Sequence, residues 1–328
     1  SERNIYAFGT VNSHLEEYDS NKMYVCKISP TSGEIEWMHI FQNEFNAKKG
    51  KVLNDRIRVY GGKFLGQFNY VNILMDLDLN GNILSSVDIP NLPYGPGIFN
   101  NYFFFDPEGY FIGFGYYIYK FGPVANNPVW AFDFARGLPN MKGQARTAVS
   151  DSEGNIYATG ALQDTLTSES YTQTLKLSPD GELIWATVSD FPQPCDGESG
   201  QRMAVSDKNV FVCSTISYLN SGGNPSYKYD YWNILYSNED GSVVYDTLID
   251  ANVQDYAYYV HYDRNHFYFL GRSYDPASSS QADYMYKLFK YTVDGPSSTK
   301  DGQRQSAQMH LAPNPTASTC TVSYQLPA

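Results

Sequence analysis

Ala148-Val-Ser-Asp-Ser-Glu-Gly-Asn-Ile-Tyr-Ala-Thr-Gly160, followed by Leu175-Lys-Leu-Ser-Pro-Asp-Gly181-Glu-Leu-Ile-Trp185, decides the fold. The first string reads as two short strands around an Asp/Gly turn. The second is a hairpin whose Gly supplies the positive φ of a tight turn, with an aromatic residue shortly after it.

The same plan recurs along the chain. Hairpins run from Met23 to Trp37, from Ile73 to Leu84, from Tyr117 to Phe121 with Trp130, from Ile234 to Tyr245 and from Tyr286 to Gly295. The strand pairs between them are Asn4 to Gly9, Phe103 to Gly113, Met203 to Cys213 and Val260 to Gly271. Turn glycines fall 48 residues apart from Gly33 to Gly81, 60 from Gly181 to Gly241 and 54 from Gly241 to Gly295. Four short strands per repeat, no helical periodicity and a repeat of about 50 residues predict an all-β protein, a β-propeller of four-stranded antiparallel blades. Six blades are expected over residues 1–295, with seven the alternative count. Residues 296–310 read as a polar linker, and 311–328 as a separate C-terminal segment.

The pairing of Asn-Ile-Tyr-Ala-Thr-Gly with Leu-Lys-Leu-Ser-Pro-Asp-Gly-Glu-Leu-Ile-Trp resembles bacterial extracellular β-propeller repeats. Thr31-Ser-Gly-Glu-Ile-Glu-Trp37 resembles quinoprotein-type blades. That resemblance implies that Trp37, Trp130, Trp185 and Tyr245 pack between neighbouring blades. The stretch Leu311-Ala-Pro313-Asn314-Pro315, followed by the strand-like Cys320 to Leu326, resembles the opening of the type A C-terminal sorting domain of type IX secretion substrates in Bacteroidota, here truncated. It implies recognition by the type IX secretion machinery and a mature chain, its signal peptide removed, that is secreted or held at the outer-membrane surface.

Composition narrows the function. A formal charge of −12 without a basic cluster argues against a nucleic-acid binder. Aromatics at 16% against charged residues at 18% describe a folded chain rather than a disordered one. The longest apolar stretch, Tyr110 to Tyr119, is far short of the roughly 20 residues of a transmembrane helix. Cys26, Cys195, Cys213 and Cys320 lack metal-ligand spacing and read as buried thiols, with a Cys195–Cys213 bridge the alternative in an oxidising compartment. His261 and His266 read as solvated residues flanking a turn. Asp76-Leu-Asp78-Leu-Asn80-Gly81 resembles the start of a calcium loop, but its twelfth position is Val87 rather than a bidentate Glu; a solvated hairpin is the favoured reading and calcium the one cofactor considered. No nucleophile elbow or paired-histidine motif occurs.

Long connections between second and third strands are expected at Val11 to Lys22, Gln163 to Thr172, Tyr218 to Asp230 and Tyr274 to Asp283. The third, with its flank, holds Tyr227, Tyr229, Tyr231 and Trp232, and the fourth opens on Tyr274. Tyrosine offers a large contact area and a polar tip at little entropic cost, so these five are the expected binding residues. The function expected is therefore a binding or adhesion propeller that recognises a surface protein or polysaccharide. The alternatives are a glycosidase-like hydrolase with channel carboxylates and a structural part of a larger surface assembly.

Overall fold

The computed structural model describes residues 4–12, 21–41, 45–64, 70–89, 103–122, 128–192, 195, 197–219, 227–249, 254–274, 284–292, 309–311 and 322–324. Among them there is no helix, and the strands form six antiparallel blades of a β-propeller. Blade one is β1 (Ile5–Asn12), β2 (Asn21–Ile28) and β3 (Ile35–Ile40). Blade two is β4 (Phe45–Val52), β5 (Arg56–Phe64), β6 (Tyr70–Asp78) and β7 (Ile83–Ile89). Blade three is β8 (Phe103–Phe105), β9 (Phe111–Phe114), β10 (Tyr117–Phe121) and β11 (Pro128–Asp133). These three make one compact unit, residues 1–132.

The second unit, residues 133–328, holds the other three blades. Blade four is β12 (Met141–Ser150), β13 (Ile156–Asp164), β14 (Ser170–Leu177) and β15 (Leu183–Ser189). Blade five is β16 (Gly197–Val205), β17 (Asn209–Leu219), β18 (Tyr227–Ser237) and β19 (Val243–Ile249). Blade six is β20 (Gln254–Asp263), β21 (His266–Tyr274) and β22 (Tyr284–Thr292). Its next place is taken by β23 (Met309–Leu311), which pairs with β22 and carries β24 (Val322–Tyr324) on its other side. Met309 and His310, which the sequence assigns to a linker, are therefore strand residues. The connection expected over Gln163 to Thr172 is shorter than it reads, because β13 runs to Asp164 and β14 starts at Ser170.

Blades two and five are apolar on both faces, because strand alternation sends successive side chains to opposite neighbours. On β17, Val210 and Val212 join a core with Tyr157 and Trp185 of blade four. Phe211 and Cys213 face the other way, into a core with Val260, Phe267 and Phe269 of blade six. The first unit repeats the arrangement. Ile57 and Val59 of β5 pack with Met23 and Val25 of blade one, and Tyr60 packs with Phe103 and Phe111 of blade three.

Aromatic residues lock consecutive blades together at the hairpin turns. The ring of Trp185 lies against Gly241 in the next blade, where an added Cβ would come within 2.5 Å of it, and its Nε1 donates to the Asn238 carbonyl at 3.1 Å. Trp37 lies in the same way against Gly81. Both glycines hold positive φ, at 72° and 86°, so turn geometry and ring packing each require the missing side chain. Trp130 is half-buried on β11, and Tyr245 is half-buried on β19 opposite Leu235.

Cys213 is a buried free thiol on β17, its ionisation pushed well up by burial, so the alternative of a Cys195–Cys213 disulfide is not realised. Cys195 packs at the edge of the core between blades four and five.

A β-bulge interrupts the first two strands at the same register in blades two, four, five and six, after Ala47, Ala145, Gly200 and Ala257. The residues opposite are Gly61, Gly160, Ser214 and Gly271, so the two backbones meet through small side chains only. The approach is closest in blade four, where a Cβ on Gly160 would stand 2.0 Å from the Gln144 carbonyl oxygen. Gly160→Ala is therefore expected to cost about 2 kcal/mol or more in urea unfolding, since backbone cannot swing aside as a side chain can. An unchanged denaturation midpoint would show that the bulge relaxes freely.

Candidate functional site

The bulges determine which side chains the first strands present. Lys48 and Lys49, Arg146 and Thr147, Gln201 and Arg202, and Tyr258 and Tyr259 are consecutive pairs, and neither member of any pair is buried. Beyond three of the pairs the strand turns a buried residue inward again, at Ala148, Met203 and Val260. Re-aiming of this kind is what an extra residue in a strand does. On each of these first strands one level thus carries a pair of outward side chains.

In the second unit β12 lies beside β16, and β16 beside β20. Arg202 joins two of the levels, its Nε donating to the Tyr258 carbonyl at 2.9 Å and its Nη1 to the Gln201 carbonyl at 2.7 Å. The Arg272 guanidinium lies 5.3 Å from the Tyr256 ring and 5.2 Å from the Tyr258 ring, within cation–π range of both. Tyr229 continues the row, its ring 5.4 Å from Tyr256. Tyr259 stacks on His261 with centroids 6.1 Å apart. Tyr258 is 41% exposed and Tyr259 59%. Charge is divided sharply on these strands. β12 has Lys142 and Arg146 and no acid, the one acid of β16 is the buried Glu198, and Asp255 of β20 is fully buried, leaving only Asp263 exposed at the strand's far end. Such a surface can stack on flat or ring-shaped ligands and donate charged hydrogen bonds to oxygen anions.

Beneath the row, Glu198 ties blade five to blade four. One carboxyl oxygen accepts from the Thr172 amide at 3.0 Å and the other from the Phe191 amide at 3.1 Å. Thr172 also donates its hydroxyl to Ser214 at 3.2 Å, and Ser189 bonds the Tyr236 hydroxyl at 2.9 Å. Burial pushes the Glu198 carboxyl up to about 8, the Asp190 charge adding to the rise and the two amides opposing it. Near neutrality the group is mostly a neutral acid, whose two oxygens can still accept both amides.

The residues expected to bind are divided by strand alternation and by position along β18. Tyr231 and Trp232 are not surface residues, and the expectation for them is corrected. Both belong to β18, where Tyr231 turns into the blade-six core and donates its hydroxyl to the Arg272 carbonyl at 2.9 Å. Trp232, only 3% exposed, turns into the blade-four core, donating to Asp246 at 2.9 Å and packing on Phe191. Tyr229 alone of the five is placed at the aromatic row. Tyr227 opens β18 and Tyr274 closes β21, and their side chains lie outside the described residues. The sorting-motif residues Pro313, Asn314 and Pro315 also lie outside them.

The calcium-like string is built into its hairpin. Asp76 is buried and accepts from Arg58 Nε at 2.7 Å and Nη2 at 2.8 Å. Asp78 accepts the amides of Asn80 and Asn82, both at 2.8 Å. Among the described residues no group of three His, Cys, Asp or Glu side chains is arranged to hold a metal ion.

Sequence reasoning missed Arg146, Arg202, Arg272, Tyr258, Tyr259 and Glu198. A signal was present for four of them: Ala47-Lys-Lys, Ala145-Arg-Thr, Gly200-Gln-Arg and Ala257-Tyr-Tyr repeat a small residue followed by two outward ones. Glu198 and Arg272 carry no such local mark.

No protein-family model matches the chain, and no curated protein matches it. Solved structures that resemble it include a protein of unknown function from Bacteroides caccae, 10% identical, covering 76% of this chain and 94% of its own, with a TM-score of 0.33. The dihydro-heme d1 dehydrogenase NirN is 10% identical over 92% of this chain and 70% of its own, with a TM-score of 0.38. The WD40 domain of SCAP from fission yeast is 7% identical over 83% of this chain and 70% of its own, with a TM-score of 0.37.

Two predictions come from this geometry. Trp232→Ala should cost about 3–5 kcal/mol and Tyr259→Ala under about 0.5 kcal/mol in chemical unfolding, because one empties a core and the other trims a surface. Equal losses would contradict the division of these side chains. The second concerns pH. Folding holds a proton on Glu198 that the unfolded chain releases above its ordinary value of 4.5, so stability should fall as pH rises from about 4.5 to about 8. Glu198→Gln should flatten that part of the stability profile, although its amide meets one of the two backbone N–H groups donor to donor. A slope unchanged in the variant would remove Glu198 as its source.

Proposed function

We propose that the protein is a binding module that recognises a protein partner or a glycan through the first-strand surface of residues 133–328. The observation that carries this reading is the row of outward pairs on β12, β16 and β20, in which exposed tyrosines and half-buried arginines meet with no exposed acid among the pairs. Large rings with polar tips, and guanidinium groups already fixed by stacking or by carbonyl contacts, lose little freedom when a ligand arrives. Buried carboxylates favour binding over hydrolysis. Asp230 and Asp255 are brought to adjacent positions by the parallel bridge Tyr229↔Gln254, yet they are 2% and 0% exposed, whereas a glycosidase needs both acids against its substrate.

Export belongs to the same proposal. Pro313-Asn314-Pro315 and the strand after it support passage through the type IX machinery to the medium or the outer-membrane surface, where a recognition module would meet its partner.

The test is retention of the full chain on native surface extract and on a panel of immobilised glycans. The double variant Tyr258→Ala with Tyr259→Ala should lose at least about tenfold in affinity, as removal of paired aromatic anchors does, at a nearly unchanged melting temperature. Wild-type affinity in that variant would exclude this surface.

A further inference from the structure

We infer that the surface takes an anionic polysaccharide, one whose sugars carry carboxylate or sulfate groups. This inference rests on the binding reading and adds the class of ligand.

Charge complementarity points to an anion. A chain with formal charge −12 would be expected to show acids on most exposed strands. Instead the only charged side chains on β12 and β16 that are not buried are cations, Lys142 exposed and Arg146 and Arg202 half-buried, and Arg272 adds a third guanidinium beside the tyrosines. Blade two of the other unit follows the same rule separately, with Lys48, Lys49 and Lys51 on β4 and no acid.

Unsatisfied polar groups point the same way. Arg146 Nε and Ser199 Oγ are shielded from solvent and have no hydrogen-bond partner among the described residues. Arg146 belongs to an outward pair on β12, and Ser199 stands three residues before Arg202 on β16. A buried donor without an acceptor costs about 1–3 kcal/mol, and more when it is charged, so such groups mark places where an oxygen is expected. A carboxylate or sulfate supplies the several acceptor oxygens that a guanidinium fork matches.

Surface composition separates a sugar from a protein. Protein interfaces also use Tyr and Arg, but set them in a desolvated core of further apolar side chains. Among the described residues of β12, β16 and β20 the only large exposed hydrophobic side chains are Tyr258 and Tyr259, and no aliphatic side chain joins them. Tyrosine faces between cations suit a chain of rings that alternates C–H faces with charged groups better than they suit a protein surface.

The test uses the full chain in affinity electrophoresis through gels containing polygalacturonate, dextran sulfate, neutral dextran or poly-L-glutamate. Polygalacturonate or dextran sulfate should retard the protein, and the preference between them identifies the anionic group. Retardation should weaken at least about tenfold between about 50 mM and about 500 mM salt, because exposed charge pairs are screened. Arg146→Gln with Arg202→Gln should lose at least about tenfold, the loss of about one charged hydrogen bond. Tyr259→Ala, at a position whose truncation leaves the core intact, should also weaken binding. Equal retardation by neutral dextran, or indifference to salt and to the arginine pair, would overturn the anionic class and leave the binding reading standing. Retardation by poly-L-glutamate as strong as by the polysaccharides would overturn the sugar in favour of an acidic protein. Mobility unchanged by all four polymers, together with no retention on native surface extract, would overturn both.

Discussion

Blades two and five each have two apolar faces, and a single four-stranded sheet can cover neither of them. The constraint comes from the two-residue period of a strand: Val210 and Val212 point to one side and Phe211 and Cys213 to the other, and all four are buried. A sheet patterned in this way is stable only between two others, so the sequence must repeat. The tryptophan-on-glycine contacts at Gly81 and Gly241 add position to what the apolar cores supply as free energy. A ring that rests where a side chain would otherwise stand fixes the level at which one hairpin meets the next.

That packing confines variation to particular places. The second and third strands are committed on both faces over most of their length, and only toward their ends do Arg272 of β21 and Tyr229 of β18 reach the row. The first strands escape where the bulge inserts a residue, because two consecutive side chains then leave the core together. Small residues opposite the bulge, such as Gly160 and Gly271, are the structural condition for this, and the outward pairs are its result. The same backbone device holds Lys-Lys, Arg-Thr, Gln-Arg or Tyr-Tyr without disturbing the blade.

Much of the architecture is legible in the residues, and its gaps have physical causes. The hairpins announce themselves because a turn glycine and a following aromatic are required for different reasons at fixed spacing. The strand Phe45–Val52 does not, since its three lysines interrupt the alternation that marks a strand. Nor does Met309–Leu311, a three-residue strand within a polar stretch, which is why residues 296–310 read as a linker. The tyrosine-rich run from Tyr227 to Trp232 misleads for a subtler reason. Tyrosine and tryptophan suit both a wet surface and a core with one polar partner, and only register decides between them: Tyr229 reaches the aromatic row while Tyr231 and Trp232 find the Arg272 carbonyl and Asp246. Glu198 was illegible because its role depends on two amides from the preceding blade, 26 and 7 residues away in sequence.

The charge distribution follows from the same economy of positions. Tight turns need acceptors for amides that no ladder partner reaches, and short carboxylates supply them at Asp78, Asp106, Asp151, Asp164 and Asp240. The Asn82 side chain and backbone amides hold the Asp78 carboxyl below the usual range, and the amide and hydroxyl of Ser242 do the same for Asp240. Part of the net negative charge is therefore turn chemistry, repeated because the hairpin is repeated. The first strands have no such demand along their length, and their outward positions are free to carry cations. A chain that is acidic as a whole can in this way keep a local surface suited to anions, and its net charge alone says little about what that surface attracts.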